Sequence, residues 1–418
     1  MFDLLDLTRL RTFDVLPVFC RLAYRGPGFN SRMITYPILY GARNSMIKRV
    51  SAAALMLAAA LASTHSHAQA EDRTLPKTLI PASTLYPRLI RLSHGSAEFN
   101  GQLMASTNRQ IFRSTDDGRT WEYVTEITAK EGSRERCCAT LWELPKTVGQ
   151  LKEGTLLFSA TFVEGTTAAV QIYTSTDEGK TWNYLGTPVK RGGTPHHGLW
   201  EPEFTIAKDG SLVIFWSDET DPCCSQKLTQ MRTTDGVTWK DEFDTIKSVN
   251  QPDRPGMIVV SKLQNGQYFM SYEMCGPTYH CVVFSRTSKD GLKWGKPSDT
   301  GTKVVSTTGQ YLAHAPNNHF MPYGHVLLAG QILFEADGTT SRDNGSVLFV
   351  SNKKNPLKPW TTMPAPVAIP TAYDNPCPNY SAAMLPTVDG KYVIEIASDF
   401  DDQHKCTVYE GILPLPHK

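Results

Sequence analysis

The sequence predicts an all-β protein, a six-bladed β-propeller, on three observations. A tryptophan-ended turn motif recurs along the chain, its period is about 57 residues, and strand-like runs are frequent, with no helical stretch of comparable strength. The motif reads Ser114-Thr-Asp116-Asp-Gly118-Arg-Thr-Trp121 and again Ser175-Thr-Asp177-Glu-Gly179-Lys-Thr-Trp182. Shorter copies follow at Thr233-Thr-Asp235-Gly236-Val-Thr-Trp239 and Ser288-Lys-Asp290-Gly291-Leu-Lys-Trp294, and a degenerate one ends at Trp360. The tryptophans stand 61, 57, 55 and 66 residues apart. Dividing the 331 residues from Tyr86 to Pro416 by this period gives about six modules, within the range of propellers with four strands per blade.

Taken in chain order, the first element is an export signal. Met46-Ile-Lys-Arg49 is basic, Val50 to Ala62 is an apolar run, and Ala68-Gln69-Ala70 has the small-residue pattern of a cleavage site, the order of a secretory signal peptide. The 13-residue run is shorter than the roughly 20 residues of a spanning helix; an uncleaved N-terminal anchor is the other reading. A signal peptide is read from the N-terminus, so residues 1–45 are expected to be a non-native upstream extension, with residues 46–70 the signal and the mature chain starting near Glu71. Residues 71–85 read as a linker and residues 86–418 as one propeller. The expected location is secreted or periplasmic, with no integral membrane segment in the mature chain. Blades are expected to begin near Tyr86, Thr140, Glu201, Arg254, His314 and Tyr380, around runs such as Leu212-Val-Ile-Phe-Trp216, Val326-Leu-Leu-Ala329 and Tyr392-Val-Ile-Glu-Ile396.

Composition narrows the function. Lys+Arg 42 against Asp+Glu 41 gives a net charge of +1 without blocks of like charge, so nucleic acid is not an expected partner. Hydrophobic residues at 40%, charged residues at 20%, Gly 30 and Pro 27 suit a turn-rich globular chain, here expected to be a monomer, and exclude disorder and collagen. Of nine cysteines, Cys20 falls in the upstream extension; the remaining eight, in an exported chain, are expected to form disulfides. Cys275 and Cys281 fit facing strands of a hairpin, and Cys377 with Cys406 would tie the last module together. The adjacent pairs Cys137-Cys138 and Cys223-Cys224 are expected to join neighbouring modules; a zinc site competes but lacks C-x2-C spacing.

The turn motif has a physical logic. Asp side chains accept hydrogen bonds from turn amides, Gly supplies positive φ, and Trp packs under the turn, so these Asp residues are structural rather than catalytic. The motif resembles the Asp-box, or BNR repeat, of sialidase-like propellers. Function must come from a site elsewhere.

Two glutamates beside aromatic residues in strand-like segments stand out: Glu201 in Trp200-Glu201-Pro202-Glu203-Phe204 and Glu273 in Met270-Ser-Tyr272-Glu273-Met-Cys275. A pair of carboxyl groups flanking one bond is what glycoside cleavage requires. The segments Tyr86-Pro-Arg-Leu-Ile-Arg-Leu92, Leu141-Trp-Glu-Leu-Pro145, Gly154-Thr-Leu-Leu157, Trp200-Glu-Pro202, Ser217-Asp-Glu219, Arg254-Pro-Gly-Met257 and Asn265-Gly-Gln-Tyr-Phe-Met-Ser-Tyr-Glu273 resemble glycoside hydrolase family 93, the exo-α-1,5-L-arabinanases. The resemblance runs from about Tyr86 to the C-terminus. It implies a six-bladed propeller, an oligo- or polysaccharide substrate, no cofactor or metal, and a retaining mechanism with Glu201 and Glu273 as the catalytic pair. The expected assignment is Glu201 as nucleophile and Glu273 as acid/base.

Arg88 and Arg254 are candidates for binding substrate hydroxyls or holding a glutamate ionised, Trp200 and Tyr272 for stacking on a sugar, and His197, His314 and Tyr380 for lining the channel mouth. Glu143 and Glu219 read as structural carboxylates. The rival enzyme is an exo-α-sialidase with Tyr380 as nucleophile and Arg88, Arg254 and Arg342 as its arginines. The rival non-enzyme is an exported binding or assembly propeller.

Overall fold

The structure, a computed structural model, describes residues 78–80, 85–192 and 198–416. The upstream extension, the signal peptide and His197 lie outside the described residues. Among the described residues every regular element is a strand, and none is a helix long and apolar enough to cross a membrane. Six antiparallel sheets form the blades of a propeller. Their innermost strands are Pro87–Arg91, Ser133–Glu143, Leu199–Ile206, Arg254–Lys262, Asn317–Phe320 and Ala383–Pro386.

Apolar residues alternate on both faces of these strands because each blade is covered on both sides by its neighbours. One apolar cluster fills each interface between successive blades. The second-to-third interface, for example, packs Leu157, Val170 and Ile172 against Phe204, Ile214 and Trp216.

The ring closes through the N-terminal strand. Thr78–Ile80 pairs antiparallel with Cys406–Pro414, Ile80 opposite Val408, and becomes the outer strand of the sixth blade. The expected linker therefore contributes a structural strand. The physical reason is that Cys406–Pro414 would otherwise present an open edge, and three residues are too few for a readable alternation. The second blade begins at Ser133, earlier than the expected Thr140, because the polar stretch Ser133-Arg-Glu-Arg-Cys-Cys138 pairs with Thr161–Glu164 through a bulged register.

The turn motif joins the third strand of a blade to the fourth, and its Asp residues act locally. Asp177 Oδ1 accepts the Thr181 amide at 2.9 Å, its Oδ2 accepts the Thr181 hydroxyl at 2.6 Å, and Ser175 Oγ accepts the Gly179 amide at 2.9 Å. Asp116 repeats the arrangement with Thr120, and Asp235 and Asp290 hold the amides of their shorter turns. Gly179 sits at φ 83°, and a Cβ there would meet Met104 of the first blade at 2.3 Å. In the degenerate copy, Asn352 takes the acceptor role towards Lys354 and Asn355. Replacing Asp177 by Ala strands these donors and is expected to cost about 2 kcal/mol. Calorimetry should show a Tm lower by about 4 °C, with activity per folded molecule unchanged.

Candidate active site

Along an antiparallel blade, the first strand starts and the second strand ends at the same rim of the propeller, whereas the turn motifs lie at the opposite rim. At the first rim the inner strands depart from regular pairing in a repeated way. Cys138, Glu201, Met257, Ala315 and Ser381 come from five successive blades, and their φ angles are 67°, 53°, 57°, 46° and 56°. In the second, third and fourth blades this left-handed residue lies within a register shift, a bulge that re-aims side chains and frees backbone amides. Tyr86, Met257 and Ala315 form a buried apolar cluster with Cys138 and Tyr380 packed against it. Residues from blades one, two, four, five and six can meet only at the propeller axis. They form the floor of the channel mouth, and the third blade contributes Glu201 beside it.

Glu201 and Glu273 converge there, each half-buried. Glu201 Oε2 accepts the Ser217 hydroxyl at 2.6 Å and the Met257 amide at 3.0 Å. Glu273 Oε2 accepts the Ala315 amide at 2.8 Å. Gly256, directly opposite Glu273 in the register, lets them approach. A Cβ at Gly256 would lie 3.4 Å from Glu273 Oε1 and 3.7 Å from Glu201 Oε2, so the sum of these distances is the most that can separate the two oxygens. A non-catalytic propeller has no requirement for two carboxyl groups so close at its axis.

Electrostatics separate the two roles. Burial raises the Glu201 carboxyl above the usual range; the hydrogen bonds from Ser217 and Met257 oppose that rise, as does the charge of Arg254. Burial first, then the charge of Glu201, pushes Glu273 up to about 8, against the Ala315 amide. Glu273 thus keeps its proton at neutral pH, beside a carboxyl whose Ser217 and Met257 donors favour the anionic form.

The remaining candidates divide. Arg254 acts electrostatically on both glutamates but is anchored by Glu219, Gln226 Oε1 at 2.9 Å and Ser225 Oγ at 2.8 Å. Arg88 is buried under the Tyr86 ring, 3.7 Å from its centroid, and donates to Ser381 Oγ at 3.2 Å, so it braces the floor between the first and last blades. It also opposes the burial that raises Glu203 to about 7. Trp200 is half-buried at the start of its strand with the Arg136 guanidinium 4.0 Å over its ring. Tyr380 adjoins the floor, and burial and the charges of Glu273 and Glu201 hold its phenol well above its ordinary value.

A ring nitrogen of His314, a carboxylate oxygen of Glu273 and the sulfurs of Cys275 and Cys281 lie within 4.8 Å of one another. The two sulfurs are bonded to each other and offer no thiolates to a metal. Burial lowers the His314 imidazole, with Asp374 opposing. Tyr272 does not belong to the site. Strand alternation turns it away from Glu273 into the interface with the third blade, fully buried, its hydroxyl on the Thr300 carbonyl at 2.6 Å.

Glu143 and Glu219 are structural: Glu143 receives the amides of Ser93 and His94, and Glu219 the amide of Gly198. The sialidase arginine set does not assemble: Arg342 is 92% exposed, and Arg88 and Arg254 are held as described.

The cysteines pair as Cys275–Cys281 and Cys377–Cys406, as expected. The adjacent cysteines bond to each other, Cys137–Cys138 and Cys223–Cys224, rather than joining modules. Each pair sits in its own strand bulge or loop, and its sulfurs are nearer to each other than to any other cysteine.

Sequence reading missed Ser217, Gly256, Gln226, Met257 and Ala315. Ser217 stands next to the acidic pair Asp218-Glu219 and carried that much signal. Met257 and Ala315 act through backbone amides, which no side-chain pattern reveals. Gly256→Ala is expected to lower turnover on any accepted glycoside by roughly tenfold to a hundredfold. Its Cβ would meet Gln226 Nε2 at 2.7 Å, which is tied to the Pro255 carbonyl at 2.9 Å. A Tm within a few degrees of wild type would accompany the loss.

No protein-family model and no curated protein sequence matches the chain. Solved structures do. An α-L-arabinanase from Penicillium chrysogenum, solved with arabinobiose, is 25% identical with a TM-score of 0.66, covering 80% of this chain and 94% of its own. A family 93 α-L-arabinofuranosidase from Fusarium graminearum, also with arabinobiose, is 23% identical with a TM-score of 0.65, covering 81% and 95%. A sialidase from Streptococcus pneumoniae shares the fold at 12% identity and a TM-score of 0.51, covering 82% and 70%. With this likeness extending over four-fifths of the chain, the protein is a β-propeller glycoside hydrolase similar in structure to family 93 enzymes.

Proposed function

We propose that this protein is an exported, retaining glycoside hydrolase that acts from chain ends on α-1,5-linked arabinan. The observation that carries the reading is the pair of half-buried glutamates meeting over Gly256 at the channel mouth. Glu201 attacks the anomeric carbon while Glu273 gives its proton to the departing oxygen. Glu273, now a carboxylate, takes a proton from the water that attacks the same carbon, and Glu201 leaves as a carboxylate. Each role matches its environment: the Ser217 hydroxyl and Met257 amide favour the anionic form of Glu201, and burial beside Glu201 keeps the proton on Glu273. Retention calls for carboxyl groups about 5–5.5 Å apart, a spacing that the limit set at Gly256 accommodates.

The sugar is inferred from the arabinobiose bound by the similar enzymes and from a net charge of +1, which suits an uncharged polymer. Export is supported by the signal-like segment before Glu71 and by four disulfides, which persist in oxidising compartments. Incubation with linear arabinan, an aryl α-L-arabinofuranobioside and a fluorogenic sialoside tests the reading. Hydrolysis of the two arabinosides with retained anomeric configuration by proton NMR is expected, abolished in Glu201→Gln and Glu273→Gln; cleavage of the sialoside alone would reject it.

The pH profile follows from the two carboxyls. Glu273 must be protonated to act, so kcat/KM should fall as pH rises through about 8. Glu201 must be ionised, so the acid limb lies above the ordinary carboxylate value. A carboxyl raised on folding stabilises the fold at low pH and loses that contribution as pH rises from 4.5 through about 8. Glu273→Gln should therefore melt higher than wild type at pH 9 while remaining inactive, a difference that thermal unfolding at pH 5 and pH 9 will read.

A further inference from the structure

We propose that the Cys137–Cys138 disulfide is a sugar-binding surface, an apolar platform on which a pentose ring of the substrate lies beside the two glutamates. The proposal rests on the glycosidase reading and adds a binding element to it. Its first support is position. Cys138 packs against Tyr86, Met257 and Ala315, and the last two are the residues whose amides hold Glu201 and Glu273. Both cysteines are half-buried, so the disulfide and Tyr380 form the open part of a floor whose other members are covered.

The second support is that the bond has little structural work to do. A disulfide stabilises a fold chiefly by closing a loop in the unfolded chain, with a gain that grows with loop length. Cys377–Cys406 spans 29 residues and Cys275–Cys281 spans 6, but Cys137–Cys138 joins neighbours and closes no loop. The inner strand nevertheless shifts register on both sides of it, between Glu135 and Cys137 and between Cys137 and Thr140, with Cys138 left-handed at φ 67°. Within that distortion Cys138 packs against the central cluster of Tyr86, Met257 and Ala315. Bonded sulfurs carry no S–H donor and lose little by desolvation, which suits the C–H face of a sugar. A polar partner for the hydroxyls flanks the platform: the Arg136 guanidinium, over the Trp200 ring.

The test uses the inactive Glu273→Gln protein with arabinobiose as probe. Calorimetric titration is expected to give an affinity about tenfold weaker once Cys137→Ser and Cys138→Ser are added. In the otherwise wild-type enzyme the same pair should raise KM by a similar factor with kcat changed less than about twofold. A crystal structure of the Glu273→Gln complex should place ring carbons about 4 Å from the sulfurs, and this measurement stands even if the double serine variant does not fold. Unchanged affinity, or a ring seated away from the sulfurs but still between the glutamates, overturns the platform and leaves the glycosidase reading intact. Failure of the Glu273→Gln protein to bind arabinobiose, xylobiose or sialyllactose overturns both.

Discussion

Two carboxyl groups, those of Glu201 and Glu273, meet over Gly256 in a recessed mouth, where burial and the charge of Glu201 keep the proton on Glu273 at neutral pH. Burial raises both carboxyls, and their hydrogen-bond partners differ. Glu201 collects a hydroxyl and an amide on one oxygen, whereas Glu273 collects a single amide and faces the charge of its partner. The asymmetry places two chemically identical side chains in different electrostatic surroundings. Gly256 is part of the same constraint, since any side chain there would occupy the space the two carboxyl groups share.

A propeller is a repetitive scaffold, and a catalytic site is not. The passage from one to the other occurs at the rim where left-handed residues stand in or just before the inner strands of five blades. Below that level, apolar clusters between blades make a ring closed by Thr78–Ile80 at the edge of the last blade. At that level, the freed amides and re-aimed side chains differ from blade to blade: a carboxylate in one, an amide donor in two others, a disulfide in a fourth. The rigid ring fixes their spacing, and the local sequence fixes their chemistry.

The features legible from sequence were those with a local cause. The turn motif announces itself because Ser, Asp, Gly and Trp each satisfy a need within eight residues, and its count and spacing lead to the propeller. Glu201 and Glu273 stood out as carboxylates in apolar surroundings, and the hairpin pairing of Cys275 with Cys281 follows from their short separation. Tyr272 was misplaced because the neighbour of Glu273 on a strand faces the other way. The start of the second blade was missed because a bulged strand breaks the alternation by which strands are recognised.

The sequence by itself therefore determined the repeat, the number of blades, the structural role of the turn aspartates and the identity of the two acidic groups. Tertiary structure decided which groups meet and in what charge state. The Met257 and Ala315 amides, the open space at Gly256 and the self-paired adjacent cysteines depend on backbone direction and on contacts between residues distant in sequence, such as Glu201 with Met257 and Glu273 with Ala315. A pattern of side-chain types records local need; it does not record where a freed amide points or how close two distant strands come.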